Sequence, residues 1–294
     1  MKKYIFLTFI LSFIIIYLFY NSKETILITK ENINLFINTL LPTLFPYMIL
    51  VLLFINYKCH LILSYILQYI SIPLFNISGK SFSIILIGLI GGYPLVALLG
   101  KEIINEENKD EINKIIPLFS FPSLSFLYNI IYNNIKINYF IIFLLSSFII
   151  LFLFKDHKKK KYLSIKDISN ELNSNINFLN IFSKVIIKVL NNLGIIFSNL
   201  LFFSLFVTLF KFNNEKINYM FLGLFEFSRS SIYLSNNISN VFDINILCII
   251  LLFGGLSVIF QIFTIYNESL LSFKKYLKYR VILLIFTLLL LNIY

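Results

Sequence analysis

The stretch SFSIILIGLIGGYPLVALLG, from Ser81 to Gly100, decides how the rest of the chain is read. It matches the ~20 apolar residues that a bilayer crossing needs, yet its middle is Gly91-Gly92-Tyr93-Pro94. Proline has no backbone N–H and its ring clashes with the preceding turn, while paired glycines loosen the helix just ahead of it. One reading is an ordinary span with a kink. The reading these residues favour is two half-helices of ~15 Å each, about half the hydrocarbon thickness, meeting at a break. Broken backbone at that depth is tolerated only where it is buried in protein or lines a watery cavity. In transporters such breaks hold substrate.

Outward from this stretch the chain stays apolar. Of 294 residues, 59% are hydrophobic and 13% charged, and the mean hydropathy is +0.86. A soluble domain of this length needs far less apolar surface, so the composition is that of a polytopic helical membrane protein. Tryptophan is absent, so an interfacial aromatic belt falls to the 18 tyrosines. The net charge of +11 comes from lysines clustered at helix ends. That is the distribution of the positive-inside rule rather than of a nucleic-acid surface. Cys59 and Cys248 are too few and too scattered for a disulfide framework or a metal site.

Met1-Lys2-Lys3 followed by Tyr4 to Tyr20 predicts an uncleaved first span with a cytoplasmic N-terminus, then an outer loop to residue 32. Ile33 to Ile55 is the next span, interrupted by Pro42 and Pro46. Cys59 to Phe75, dotted with Ser64, Gln68 and Ser71, suits a helix lying at the interface. The broken stretch is followed by a charged loop from Lys101 to Lys114. A span from Ile115 to Tyr132 carries Pro117 and Pro122, and another runs from Ile137 to Phe154. Lys155-Asp156-His157-Lys158-Lys159-Lys160-Lys161 opens a polar segment reaching residue 184, too charged to enter a bilayer. It marks the cytoplasmic side; a lipid- or nucleic-acid-binding role is the weaker alternative. Apolar stretches resume at Val185 to Phe210, Tyr219 to Leu234, Ile244 to Tyr266 and Tyr279 to Tyr294. Lys274, Lys275, Lys278 and Arg280 flank the start of the last.

GLIGGYP (Gly88 to Pro94) aligns with GLFEFSR (Gly223 to Arg229) at an offset of 135, which also carries Pro122 onto Ser257 and the Ile137 span onto the last one. The lysine clusters make those last two helices run in opposite directions. An inverted repeat follows if 81–100 and 219–234 each enter and leave on one side as re-entrant hairpins, an arrangement common in secondary transporters. The expected fold is all-α, with about seven to nine membrane segments. Residues 1–32 form the first span and outer loop, 33–154 the first repeat, 155–184 the basic cytoplasmic loop, and 185–294 the second repeat.

Soluble-enzyme chemistry finds no footing. His60 and His157 lack a Ser, Cys or Asp partner at a useful spacing. Ser78-Gly79-Lys80-Ser81 imitates the end of a phosphate-binding loop whose first glycine is Leu74 here. No enzymatic activity, ATP-driven pumping, cofactor or metal is expected. The informative groups are polar residues inside apolar stretches, since a charge there costs at least ~2.5–3.5 kcal/mol on insertion scales. Glu226 and Arg229, at spacing i,i+3, either neutralise each other on one helix face or, if the helix breaks, face a cavity. Gln261 follows the loosening pair Gly254-Gly255, while Asn191, Asn192 and Asn199 suit interhelical hydrogen bonds.

These residues carry a resemblance. Gly91-Gly92-Tyr93-Pro94-Leu95-Val96-Ala97, followed by Lys101-Glu102, resembles the GYPxGA segment of the YlbJ-type sporulation integral membrane proteins, part of the nucleoside-recognition or gate superfamily. Leu41-Pro42-Thr43-Leu44-Phe45-Pro46 is similar to that family's FPSLLPF element. Gly223-Leu224-Phe225-Glu226 is similar to its GLxE, and Gly254-Gly255-Leu256-Ser257-Val258 through Gln261 to its GGLSVxxQ. All four occur in family order. The chain departs at Val96, where the family has a second glycine, at Ser120-Phe121-Pro122-Ser123-Leu124, which replaces NxSGP, and at Ile259, often His.

The resemblance implies transport of a small anionic metabolite across a membrane of the developing endospore, with dipicolinic acid as the expected cargo. The substrate-binding candidates are Gly92, Tyr93, Pro94, Glu226, Arg229, Ser257 and Gln261. Arg229 is the expected anion anchor, because a guanidinium fork matches a carboxylate bidentately. The expected partners are the anionic metabolite and the lipid bilayer, with a homo-oligomer or other sporulation membrane proteins beside them, and no nucleic acid. The expected location is the bacterial cell membrane, including the outer forespore membrane. The alternative is a non-transporting scaffold or accessory protein of spore formation whose site was lost through those substitutions.

Overall fold

The computed structural model describes residues 2–105, 107–134, 138–156, 160–172, 178–210, 212–266 and 270–293. His157, Lys158 and Lys159 of the lysine run, and Tyr294 at the end of the last expected span, lie outside the described residues. Among those described, every regular element is helical.

Helix α1 (Lys2–Tyr20) is apolar and exposed along its length; the Tyr17 hydroxyl ties it to the body by donating to the Thr208 carbonyl at 2.6 Å. One unbroken helix then runs from Ser22 to Asn56: α2 (Ser22–Leu35), a π turn at Phe36–Leu40, and α3 (Leu41–Asn56). Residues 22–32, expected as an outer loop, are therefore helical. Lys23, Glu24, Lys30 and Glu31 are good helix formers, and no glycine or proline stops the helix there. The wide π turn just ahead of Pro42 absorbs that proline.

Lys58 and Asn76, both left-handed, bracket α4 (Cys59–Phe75), which meets α5 (Gly79–Gly91) at 102°. Beyond Gly92 the chain continues as α6 (Tyr93–Ile103). A Cβ on Gly88 would lie 3.2 Å from the Cα of Val96. Residues eight apart on a straight helix are separated by ~12 Å, so α5 and α6 fold back on each other as a hairpin. The charged loop expected from Lys101 to Lys114 is partly helical: α6 reaches Ile103 and α7 starts at Lys109. Asp110 and Glu111 sit in the first turn of α7 (Lys109–Phe119), where acidic side chains favour a helix start. Residues 120–123 are not helical, with Ser120 extended, and separate α7 from α8 (Leu124–Asn134); α9 (Asn138–Leu153) follows.

The second part opens with α10 (Ile165–Leu172) and the 30-residue α11 (Phe178–Val207). Helices α12 (Glu215–Phe225) and α13 (Phe227–Asn236) form another hairpin around the extended Glu226. Ser230 Oγ donates to the Tyr219 carbonyl at 2.6 Å, and the Tyr219 and Tyr233 rings stack with centroids 3.8 Å apart. Helices α14 (Val241–Phe253) and α15 (Gly255–Ile265) are separated by the left-handed Gly254, and α16 (Phe273–Ile293) ends the described chain.

Helix α11, ~45 Å long, spans the molecule. Phe178 at its start packs on Tyr57, and Lys188 pairs with Glu102 at the open end of the first hairpin. Phe206 and Phe210 at its other end pack on Phe225 and Phe221 of the second hairpin. The two hairpins thus open at opposite ends. The polar segment expected as a cytoplasmic loop is strapped across the first of these ends. Gln68 exchanges two hydrogen bonds with the Leu163 backbone (2.6 and 3.1 Å), Lys80 pairs with Glu171 at 2.8 Å, and Lys114 pairs with Asp156 at 2.6 Å.

The core runs from Met48 and Leu52 of α3 through Ile84 and Leu95 to Leu251 and Leu283. Helix α1, the Ser22–Asn56 helix, α11 and the α14–α15 pair are long and apolar enough to cross a membrane; the bent α4–α5 pair makes a fifth by the same measure. This is the build of a helical membrane protein.

Candidate functional site

Each hairpin tip rests on a helix break. A Cβ on Gly92, whose φ is +79°, would lie 2.9 Å from Ser123 Cα, so the first tip needs glycine both for its backbone and for the approach to residues 120–123. The second tip lies on the other break: a Cβ on Gly255 would be 2.8 Å from the Phe225 carbonyl oxygen. Pro94 begins α6 within its first two residues, where a missing N–H costs nothing.

The tips also touch each other. The Tyr93 and Phe227 rings pack edge to face at 5.0 Å, with Phe126 5.5 Å from Phe227. Tyr93 reaches further, to the second break, where its hydroxyl donates to the Leu251 carbonyl. A helix end leaves its last carbonyls without intrahelical partners, and Tyr93 satisfies one of them. The first break is capped likewise. Ser147 Oγ donates to the Leu118 carbonyl at 2.7 Å, whose helical partner would be Pro122, which has no N–H. The Pro117 carbonyl accepts from Arg280 Nη1 at 2.6 Å.

Between the tips lies a cavity of about 30 Å³. Tyr93 and Pro94 line it from one hairpin, Glu226 and Ser228 from the other, and Ser123 and Gln261 from beside the breaks; Leu40, Leu44, Ile196 and Leu200 wall it in. At ~10–15 Å³ per water, it has room for about two waters.

Glu226 is buried, and its carboxylate accepts the backbone N–H groups of Ser228 (2.7 Å) and Arg229 (3.0 Å). It is the N-cap of α13, a place where both the free N–H groups and the helix dipole favour an anion. The expected side-chain pairing of Glu226 with Arg229 is not formed. The break at Glu226 removes the i,i+3 helical geometry, and the Arg229 guanidinium pairs with Glu31 of α2. Arg229 lines a separate cavity of about 350 Å³ with Glu24, Thr208, Glu215 and Asn218, so it stands outside the central one.

Of the sequence candidates, Tyr93, Pro94, Glu226 and Gln261 line the central cavity and Gly92 forms the tip beside it. Ser257 is buried nearby in α15 with its hydroxyl unpartnered among the described residues, but does not line the cavity. Asn192 and Asn199 bond their own helix, to the carbonyls of Lys188 and Ile195, instead of a neighbouring one. The sequence candidates do not include Phe126, Phe227 and Ser228, and Ser123 figures only within the stretch that replaces NxSGP; their signal is adjacency to Pro122 and to Glu226.

The class these features define is a helical membrane protein in which two folded-back helix pairs meet at a central cavity. Comparison of the chain with protein-family models, with curated proteins and with solved structures finds no match in any of the three.

Proposed function

We propose that the chain is a YlbJ-type membrane transporter of the gate superfamily, carrying a small anionic metabolite during sporulation, with dipicolinic acid as the cargo the resemblance implies. The observation that carries this reading is the meeting of two hairpin tips, entering from opposite ends, at one small cavity. The order of helices supports two inverted repeats. The Ser22–Asn56 helix, α5–α6, α7–α8 and α9 correspond to α11, α12–α13, α14–α15 and α16, with α4 as an addition to the first set. Withdrawal of one hairpin opens the cavity to one face of the membrane, and withdrawal of the other opens it to the opposite face, which is alternating access. The end bearing Lys80, Lys114 and Lys160 is cytoplasmic by the positive-inside rule, in the cell membrane or the outer forespore membrane.

Uptake into proteoliposomes tests the reading. Vesicles carrying the wild type should accumulate labelled dipicolinate above protein-free vesicles, and Gly92→Leu should abolish the difference, because its side chain would enter residues 120–123. Absence of uptake across a panel of small organic acids contradicts it. The cavity's small volume and apolar walls favour a second reading, a scaffold of spore formation. Under that reading wild-type vesicles take up nothing, while deleting the chain still blocks sporulation.

A further inference from the structure

Arg280 is the largest fully buried side chain among the described residues, at 0% exposure, and it is charged. Its Nη1 donates to the Pro117 carbonyl, and its guanidinium carbon lies 5.6 Å from the centre of the Tyr93 ring. Nε and Nη2 have no partner among the described residues. A guanidinium stays protonated in proteins, and a buried charge without a counter-charge is among the most costly arrangements a fold can hold. Nε–H and Nη2–H lie along one edge of the guanidinium and point the same way. That edge is the fork that receives both oxygens of a carboxylate. Tyr276, one turn earlier on the same helix face, is also fully buried, and its hydroxyl has no partner among the described residues. Tyr93 stands between this cluster and the central cavity, which it lines.

We propose that Arg280 and Tyr276 form a binding site for a carboxylate group of a small organic acid, reached from the central cavity when the Tyr93 side chain moves aside. One planar edge carrying one positive charge balances one planar, singly charged carboxylate group. The inference rests on the transport reading for the route by which the acid arrives.

The test is calorimetric titration of the full chain in lipid nanodiscs with dipicolinate, succinate and benzoate, and with uncharged pyridine-2,6-dicarboxamide. At least one acid should bind and the dicarboxamide should not. Arg280→Lys keeps the charge but loses the fork and should weaken binding about tenfold or more. Lys274→Gln, which removes an exposed charge on the same helix, should leave binding within about twofold. Equal binding by folded Arg280→Lys, or no binding of any of the three acids by the wild type, overturns the proposal. If Arg280→Lys does not fold, Tyr276→Phe decides. It deletes only an unpartnered hydroxyl and should weaken binding severalfold; unchanged binding overturns the site. Arg280-dependent binding without proteoliposome uptake contradicts the transport reading alone. Uptake that Arg280→Lys leaves intact contradicts this proposal alone.

Discussion

At the scale of single residues, the two tyrosines Tyr93 and Tyr276 have opposite energetic characters. The Tyr93 hydroxyl satisfies a carbonyl that the Gly254 break leaves free, whereas the Tyr276 hydroxyl satisfies nothing among the described residues. Removing a donor from a buried acceptor carries a desolvation penalty, and hydrogen bonds inside membrane proteins are worth somewhat less than in water. Tyr93→Phe should therefore lower stability by about 1 kcal/mol, and Tyr276→Phe by less than about 0.5 kcal/mol, read as unfolding in detergent micelles. Equal losses would contradict the assignment. Glu226 acts on the same scale as a cap. Glu226→Ala should cost about 0.5–2 kcal/mol, and Glu226→Gln, whose amide oxygen still accepts, distinctly less. A Gln variant as unstable as the Ala variant would place the contribution in the charge rather than in the cap.

At the scale of elements, legibility followed the chemistry of each break. Gly91-Gly92-Tyr93-Pro94 gave away the first hairpin, because both the loosened backbone and the missing N–H are sequence properties, and a charge within apolar residues pointed to Glu226. The break at residues 120–123 was hidden. Pro117 and Pro122 look alike in sequence, yet Pro117 sits inside an intact α7, and only tertiary contact with Gly92 separates them. Arg280 was masked by Lys274, Lys275 and Lys278, which read as one basic flank. Helical phase is what distinguishes it: Tyr276, Arg280, Leu283 and Thr287, spaced by four, three and four, are all at 0% exposure. The polar segment after α9 reads in sequence as too charged to enter a bilayer, but not as a strap, because its anchors are pairwise contacts with α4, α5 and α7. Gln68→Leu removes both hydrogen bonds to Leu163 and leaves the strap on three ion pairs: Lys80–Glu171 and Lys114–Asp156, which are partly exposed, and Lys160 on the buried Glu111. Trypsin should then cut at Lys160 and Lys161 severalfold faster in membrane vesicles. An unchanged rate would mean that the ion pairs hold the strap without Gln68.

At the scale of the molecule, two hairpins reach one cavity from opposite ends. Lys101 closes the open end of the first, and Asn237 follows the second; both are exposed. The most direct measurement is labelling of single cysteines at these positions by a membrane-impermeant maleimide, in a background with Cys59 and Cys248 replaced by serine. Asn237→Cys should react in intact cells, whereas Lys101→Cys should react only after permeabilisation. If both cysteines react from the same side, the hairpins enter from one face, and neither the inverted repeat nor alternating access at their tips survives.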